Sequence, residues 1–163
     1  MRKTAGIIAL IIWFVMSAGK GLDNLIRATS STDYYVFSTN SLIPLFFVFA
    51  MGGLLLDAGT VFYLFRPGRP GFYVALSAVV LSLVQNIVSL NLALSDLHGV
   101  REAYVESRLV RGLSVNQRSL DLMFTPQFMY VVLALVVLLN AVILFLIIRN
   151  RRYFLRHDIK AEA

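Results

Sequence analysis

Residues 42–71 read LIPLFFVFAMGGLLLDAGTVFYLFRPGRPG, a long apolar run that ends in a turn rich in arginine, proline and glycine. Asp57 is the only acidic residue between positions 42 and 65 of the sequence. A helix needs about 20 mostly apolar residues to cross the hydrocarbon of a bilayer, and this run is long enough. The helix-breaking prolines and glycines at 66–71 predict a tight turn, so an apolar helix that follows would run antiparallel to the first.

The composition of the whole chain indicates that much of it lies in lipid. Of its 163 residues, 58% are hydrophobic and only 15% are charged, whereas soluble domains are about half apolar and about a quarter charged. A soluble fold of this size buries only about 70% of the surface that its unfolded chain exposes. The sequence therefore predicts an integral membrane protein.

Four segments are long and apolar enough to be transmembrane helices, at about 5–25, 42–65, 72–94 and 127–148. They predict a single-domain, all-α membrane bundle of four helices. Its connections are a short inner hairpin between the second and third helices and a longer outer loop between the third and fourth.

Local signals mark where two of these helices begin. Asn40 or Ser41 is the predicted cap of the second helix, with Pro44 in its first turn. Thr125 followed by Pro126 reads as a cap and first helical residue of the fourth.

The distribution of basic residues sets the expected orientation, because Lys and Arg favour cytoplasmic connections. With both ends inside, nine of the fifteen basic residues lie on the inner side. The other six are Lys20, Arg27, Arg101, Arg108, Arg111 and Arg118. We therefore expect cytoplasmic N- and C-termini and a multi-pass protein of the cell (inner or plasma) membrane.

The first segment has a second interpretation. Residues 1–19, MRKTAGIIALIIWFVMSAG, have a basic start, an apolar core and a small-residue end, as secretory signal peptides do. Bulky Trp13 and Met16 near the cleavage position favour retention. Cleavage would leave three helices and a mature N-terminus outside.

Two polar residues share one predicted depth. Asp57 precedes Arg66, and Asn140 precedes Arg149, by nine residues each. Both therefore lie about 13 Å from the inner boundary at 1.5 Å per residue, and Asn140 is a candidate hydrogen-bond partner of the carboxyl. Small residues on the face of Asp57 allow close helix packing in lipid, so we expect Asp57 to point into the bundle.

A second polar layer lies about 22–25 Å from the inner boundary by the same helical rise. Ser82, Gln85, Asn86 and Ser89 share one side of the third helix, and Lys20 lies at a similar depth. Lys20 either meets these groups or extends to the outer surface. The candidate ligand, ion or helix-contact residues are Asp57, Asn140, Lys20, Gln85, Asn86, Ser82 and Ser89.

The outer connection at 95–124 is large enough to form a small element of its own. Its arginines are interspersed with acids, which favours a solvated or interfacial helix. Two roles remain open: docking of a partner outside the membrane, or a lid on the lipid headgroups.

Several kinds of chemistry lack the residues they need. The chain has no cysteine and two histidines without a second histidine at ligand spacing, so no metal and no cofactor is expected. Asp57 has no second intramembrane aspartate to form a catalytic dyad. The sequence does not decide whether the chain is an enzyme, although it favours a non-enzymatic role.

The favoured hypothesis is therefore an accessory, assembly or sensory subunit that acts through transmembrane helix contacts. The alternative is a small transporter or channel component that uses Asp57, and the second alternative is a membrane-embedded enzyme. The expected partners are the lipid bilayer and either another membrane protein or a second copy of the chain, and nucleic acid is not expected.

Overall fold

A computed structural model describes residues 4–155 of the chain. In chain order the helices are α1 (Ala5–Ile26), α2 (Thr32–Thr39), α3 (Ile43–Phe65), α4 (Arg69–Ser95), α5 (Leu97–Val110), α6 (Gln117–Met123), α7 (Pro126–Arg149) and α8 (Arg151–Leu155), with a 3₁₀ turn at Ala28–Ser30. No strand occurs in this described part. The all-α prediction is confirmed.

Four of these helices, α1, α3, α4 and α7, are long and apolar enough to cross a membrane. They match the four predicted segments, although α4 begins at Arg69, earlier than expected, because Pro70 is tolerated in a first helical turn. Large apolar side chains such as Val48, Leu55 and Leu138 point away from the bundle. These features are those of a small multi-pass membrane protein.

The helix starts follow the predicted signals at one place and depart from them at another. Thr125 Oγ1 accepts a hydrogen bond from the Phe128 N–H at 3.3 Å, ahead of Pro126, as predicted. The prediction that Asn40 or Ser41 caps α3 was wrong. The Asn40 amide instead donates to the Val36 carbonyl at 2.8 Å, because this residue belongs to the end of the preceding helix α2.

The long helices pack in the order α1, α3, α4, α7, with a smaller contact between α7 and α1. The half of the bundle nearest the α3–α4 turn and α8, here called the terminal half, holds the largest apolar core. Its buried residues are Ile7, Leu10, Phe14, Leu64, Ala75, Ala78, Val79, Ile143, Ile147 and Phe154. Tyr153 of α8 donates its hydroxyl to the Leu64 carbonyl at 2.7 Å, which fixes α8 against the end of α3.

The opposite half, here called the loop half, is covered by the connecting helices. The segment between the first two long helices forms the 3₁₀ turn and α2. Val36 and Phe37 of α2 are buried. Their packing stabilises a helix whose residues have only modest helix propensity. The 95–124 connection forms α5 and α6, and α5 packs against α2.

The orientation of the bundle in the membrane remains a prediction. Four of the basic residues used for it, Arg2, Lys3, Arg156 and Lys160, lie outside the described residues.

Candidate functional site

Three long helices each present a face of mostly polar or small residues at the spacing i, i+3, i+4, i+7, which aligns side chains along one side of a helix. The faces are Ser17, Lys20, Gly21 and Asn24 on α1; Ala50, Gly53, Leu54 and Asp57 on α3; and Ser82, Gln85, Asn86 and Ser89 on α4. They enclose a cavity of about 170 Å³, here called the polar cavity, to which Asp33 of α2 and Phe49 of α3 also contribute. The space exists in part because Gly53 has no side chain, and no atom lies within 4 Å of where its Cβ would be.

Six of the seven candidate residues line this cavity: Asp57, Lys20, Ser82, Gln85, Asn86 and Ser89. Ser17, Asn24 and Asp33 also line the cavity and were not predicted from the sequence. Ser17 and Asn24 lie three residues before and four after Lys20, so the helical spacing around Lys20 contained the signal for both. Asp33 was not predicted because it lies outside the four predicted helices.

Asp57 lies at the end of the cavity nearest the terminal half. Ser17 Oγ of α1 donates to Asp57 Oδ2 at 2.6 Å, and the carboxyl is half-buried. Hydroxyl donation to a carboxylate is a strong hydrogen bond. It also leaves one carboxyl oxygen of Asp57 for a further donor.

The structure does not bring Asn140 to this carboxyl. Asn140 lies on α7, outside the polar cavity, with 4% of its surface exposed, and its amide donates to the Val136 carbonyl at 2.9 Å. The expected pairing was wrong because equal depth along the bundle does not make two helices neighbours. Here α4 and α1, not α7, are the main contacts of α3.

Within residues 4–155, three polar side chains of the cavity have no hydrogen-bond or ion-pair partner. They are Lys20, Gln85 and Ser89. Lys20 is exposed, whereas Gln85 and Ser89 are half-buried. A polar group at membrane depth that lacks a partner costs several kcal/mol, so these groups favour a polar occupant of the cavity.

The other polar groups are partly satisfied by the protein. The Asn86 amide donates to the Ser82 carbonyl one turn earlier, at 2.7 Å. Asn24 donates to Asp33 Oδ2 at 3.4 Å, which joins α1 to α2 at the far end of the cavity from Asp57. The Asp33 and Asp57 carboxylates therefore lie at opposite ends of one polar space.

The cavity is closed toward the terminal half. One helical turn beyond Asp57, Thr60 has no exposed surface and donates its hydroxyl to its own helix, at the Leu56 carbonyl, 2.7 Å away. Beyond it lies the apolar core around Phe14 and Leu64. The polar cavity is therefore a blind pocket, not a continuous pore.

A second cavity of about 300 Å³, here called the apolar cavity, adjoins the first. The two share Asp33, Asn86 and Ser89. The rest of its wall comes mainly from apolar residues of α2, α4, α5, α6 and α7, among them Val36, Leu90, Val100, Met123, Phe128, Met129, Val132 and Leu133.

The chemistry that the polar cavity supports is binding by hydrogen bonds and charge. Among the described residues, no group of three or more His, Asp or Glu side chains could hold a metal ion. The two carboxylates, the Gln85 amide and the Ser89 hydroxyl can accept hydrogen bonds from a donor or cation.

The chain was compared with protein-family models, curated proteins and solved structures, and none of them matches.

Proposed function

We propose that this membrane protein binds a small cationic, hydrogen-bond-donating group in the polar cavity, with Asp57 as its main anchor, and acts as a sensory or transport component. The observation that supports this most directly is the position of Asp57 at the closed end of a polar cavity inside the bundle. Ionisable residues within a membrane are costly and usually face a cavity or a functional path.

The unpaired groups of the cavity support ligand binding over a purely structural role. A carboxyl that only fixed helix packing would need one partner, such as Ser17. Gln85 and Ser89, which have no partner in the described part of the chain, add donors and acceptors that such packing does not use. A donor-rich ligand between them and Asp57 would satisfy these groups together.

The closed end of the cavity favours sensing or alternating-access transport over a channel. Asp57 is separated from the terminal half by buried Thr60 and by the core around Phe14. Movement of a ligand past this core would require a second conformation in which α1, α3 and α4 separate. A sensor would need only the binding step.

An accessory or assembly role through helix contacts is the weaker candidate. Its support is the set of exposed apolar residues on the outer helix faces, for example Val137 and Phe145 of α7. Lipid covers such faces equally well. A membrane-protein partner or a second copy of the chain on these faces remains a proposal, and isolation of the protein from its native membrane tests it.

Binding of methylammonium to the purified chain in lipid nanodiscs tests the proposed function. The wild-type protein should bind this cation, measured by calorimetry. The Asp57→Asn variant should bind at least about tenfold more weakly, because a hydrogen bond to a charged group contributes about 1.5–3 kcal/mol.

Asp121→Asn is the matched control, because Asp121 lies on α6 outside both cavities, where it pairs with Arg101. This variant should bind methylammonium as the wild type does. Equal binding by the Asp57→Asn variant, or no binding by the wild type, would contradict the proposed function.

A further inference from the structure

The two cavities are adjacent, one of them polar and the other apolar. Asp33, Asn86 and Ser89 belong to the walls of both, so the two cavities meet at these side chains. The polar cavity measures about 170 Å³ and the apolar cavity about 300 Å³. Pockets for small organic ligands usually measure about 300–1,000 Å³, and the two cavities together fall in that range.

The apolar cavity is lined by exposed side chains of α7. Phe128 and Val132 line it, and each keeps 38% of its surface exposed. An alkyl chain that enters there contacts side chains as apolar as the lipid it leaves. The alkyl chain therefore gains little free energy, but its polar end reaches the polar cavity.

The charges of the polar cavity select the polar end of the ligand. Asp33 and Asp57 contribute two carboxylates to the polar cavity. Among the described residues of the cavity wall, Lys20 is the one basic side chain. It is exposed, and its long side chain can carry its charge to the headgroup region. A positively charged, hydrogen-bond-donating head therefore complements the cavity better than an anionic one.

From these three features we propose that the ligand is a single-chain amphiphile from the bilayer, with an ammonium-type head between Asp33 and Asp57 and its alkyl chain in the apolar cavity. This inference rests on the proposed function for the head group. It adds the chemical class of the whole ligand and its route of entry through the side of the bundle.

A photoreactive amphiphile tests this placement. The full chain in phosphatidylcholine nanodiscs is irradiated with dodecylamine that carries a diazirine at the end of its chain, and labelled residues are mapped by mass spectrometry. Labels should concentrate on cavity residues such as Met123, Met129 and Leu133, and excess unlabelled dodecylamine should remove them. Dodecanol, with the same chain and a neutral head, should compete far less well.

Two neighbouring substitutions on α7 provide the matched pair. Val132→Trp fills the apolar cavity and should abolish the labelling of Met129. Val131→Trp, at an exposed residue that does not line the cavity, should leave that labelling unchanged. Asp57→Asn should lower specific labelling about tenfold, the loss expected when a charged hydrogen-bond partner is removed.

The outcomes separate the inference from the proposed function. Labels that spread over lipid-facing residues such as Val131 and Leu135, and that do not change in the Val132→Trp variant, would contradict binding of an amphiphile in the apolar cavity. Binding of methylammonium that depends on Asp57 would in that case still support the proposed function. If Asp57→Asn changes neither methylammonium binding nor labelling, both proposals fail.

Discussion

Asp96, the residue between α4 and α5, joins the two connections that cover the loop half. Its Oδ1 accepts the Gly99 N–H at 2.9 Å, which caps the first turn of α5, and its Oδ2 accepts the Tyr35 hydroxyl at 2.9 Å. Gly99 is buried against that hydroxyl, and a Cβ on it would collide with the Tyr35 oxygen. One carboxylate thus fixes both the start of α5 and its contact with α2.

These two bonds make the contact depend on pH. The Gly99 N–H, and after it the Tyr35 hydroxyl, lower the pKa of Asp96 below its usual 3.8. The hydrogen bond to Asp96, and after it burial, raises the pKa of Tyr35 above its usual 10.0. The carboxylate therefore contributes stability above pH 3.8 that is lost as the pH falls through its lowered pKa. The hydroxyl contributes stability below pH 10.0 that is lost as the pH rises through its raised pKa.

Tyr35→Phe should reduce the stability of the protein at neutral pH and have less effect at either extreme. The measurement is the Tm of variant and wild type in mild detergent across a pH series. We expect a small difference in Tm at neutral pH that disappears below the lowered pKa of Asp96. Tyr34→Phe is the control, because Tyr34 packs on Phe46 and Phe47 through its ring. A Tyr35→Phe difference that stayed constant from acid to alkaline pH would contradict the assigned bond.

At the level of elements, α3 and α4 form a hairpin whose two arms touch closely at its turn. Gly71 in the first turn of α4 is buried, and a Cβ there would overlap the Tyr63 side chain and come within 3.2 Å of Phe154. The same side chains connect the hairpin to α8. The absence of a side chain at position 71 therefore lets three helices meet in the terminal half.

Gly71→Ala should destabilise the bundle by about 1–3 kcal/mol, the usual cost of forcing extra volume into a packed core. Gly19→Ala is the control, because no atom lies within 4 Å of its Cβ position. It should be neutral or stabilise α1 by up to about 1 kcal/mol through helix propensity. Both are measured by reversible unfolding in mixed micelles. Equal effects of the two substitutions would show that Gly71 is not tightly packed.

The elements also show which parts of the fold could be predicted from sequence. The long helices were predictable because apolar length is a property of each segment alone, and Thr125 and Pro126 mark a helix start through local chemistry. Helix α2 was not predictable from TDYYVFST, whose Tyr, Val, Phe and Thr residues have modest helix propensity. Burial of Val36 and Phe37 against other helices determines its conformation.

For the whole molecule, the sequence indicated the polar faces of the helices but not which faces meet. Helical spacing placed Gln85 and Asn86 on one side of α4, and Asp57 on the small-residue side of α3. It could not show that α1 and α4 are the main neighbours of α3, so Asn140 of α7 was matched to Asp57 by depth alone. The two cavities depend on the packing of α2 and α5 over the loop half, which no single segment specifies.

Because the two ends of the bundle are distinct, the whole-molecule orientation can be tested directly. The terminal half carries Arg66 and Arg149 at its helix ends, and the loop half carries α5 and α6. By the excess of basic residues, the terminal half should face the cytoplasm. The chain has no cysteine, so a single introduced thiol reports one position.

A Pro67→Cys variant in the α3–α4 turn and a Ser119→Cys variant on α6 should react with a membrane-impermeant maleimide from opposite sides. In intact cells or spheroplasts, the Ser119→Cys variant should be labelled at once and the Pro67→Cys variant only after the membrane is permeabilised, because the reagent cannot cross lipid. Both should react fully in detergent, which controls for burial of the thiol. Labelling of both variants from the same side would contradict a bundle of four crossings. The reverse order of labelling would place the loop half on the cytoplasmic side, together with Asp33 and the end of the polar cavity that is farthest from Asp57.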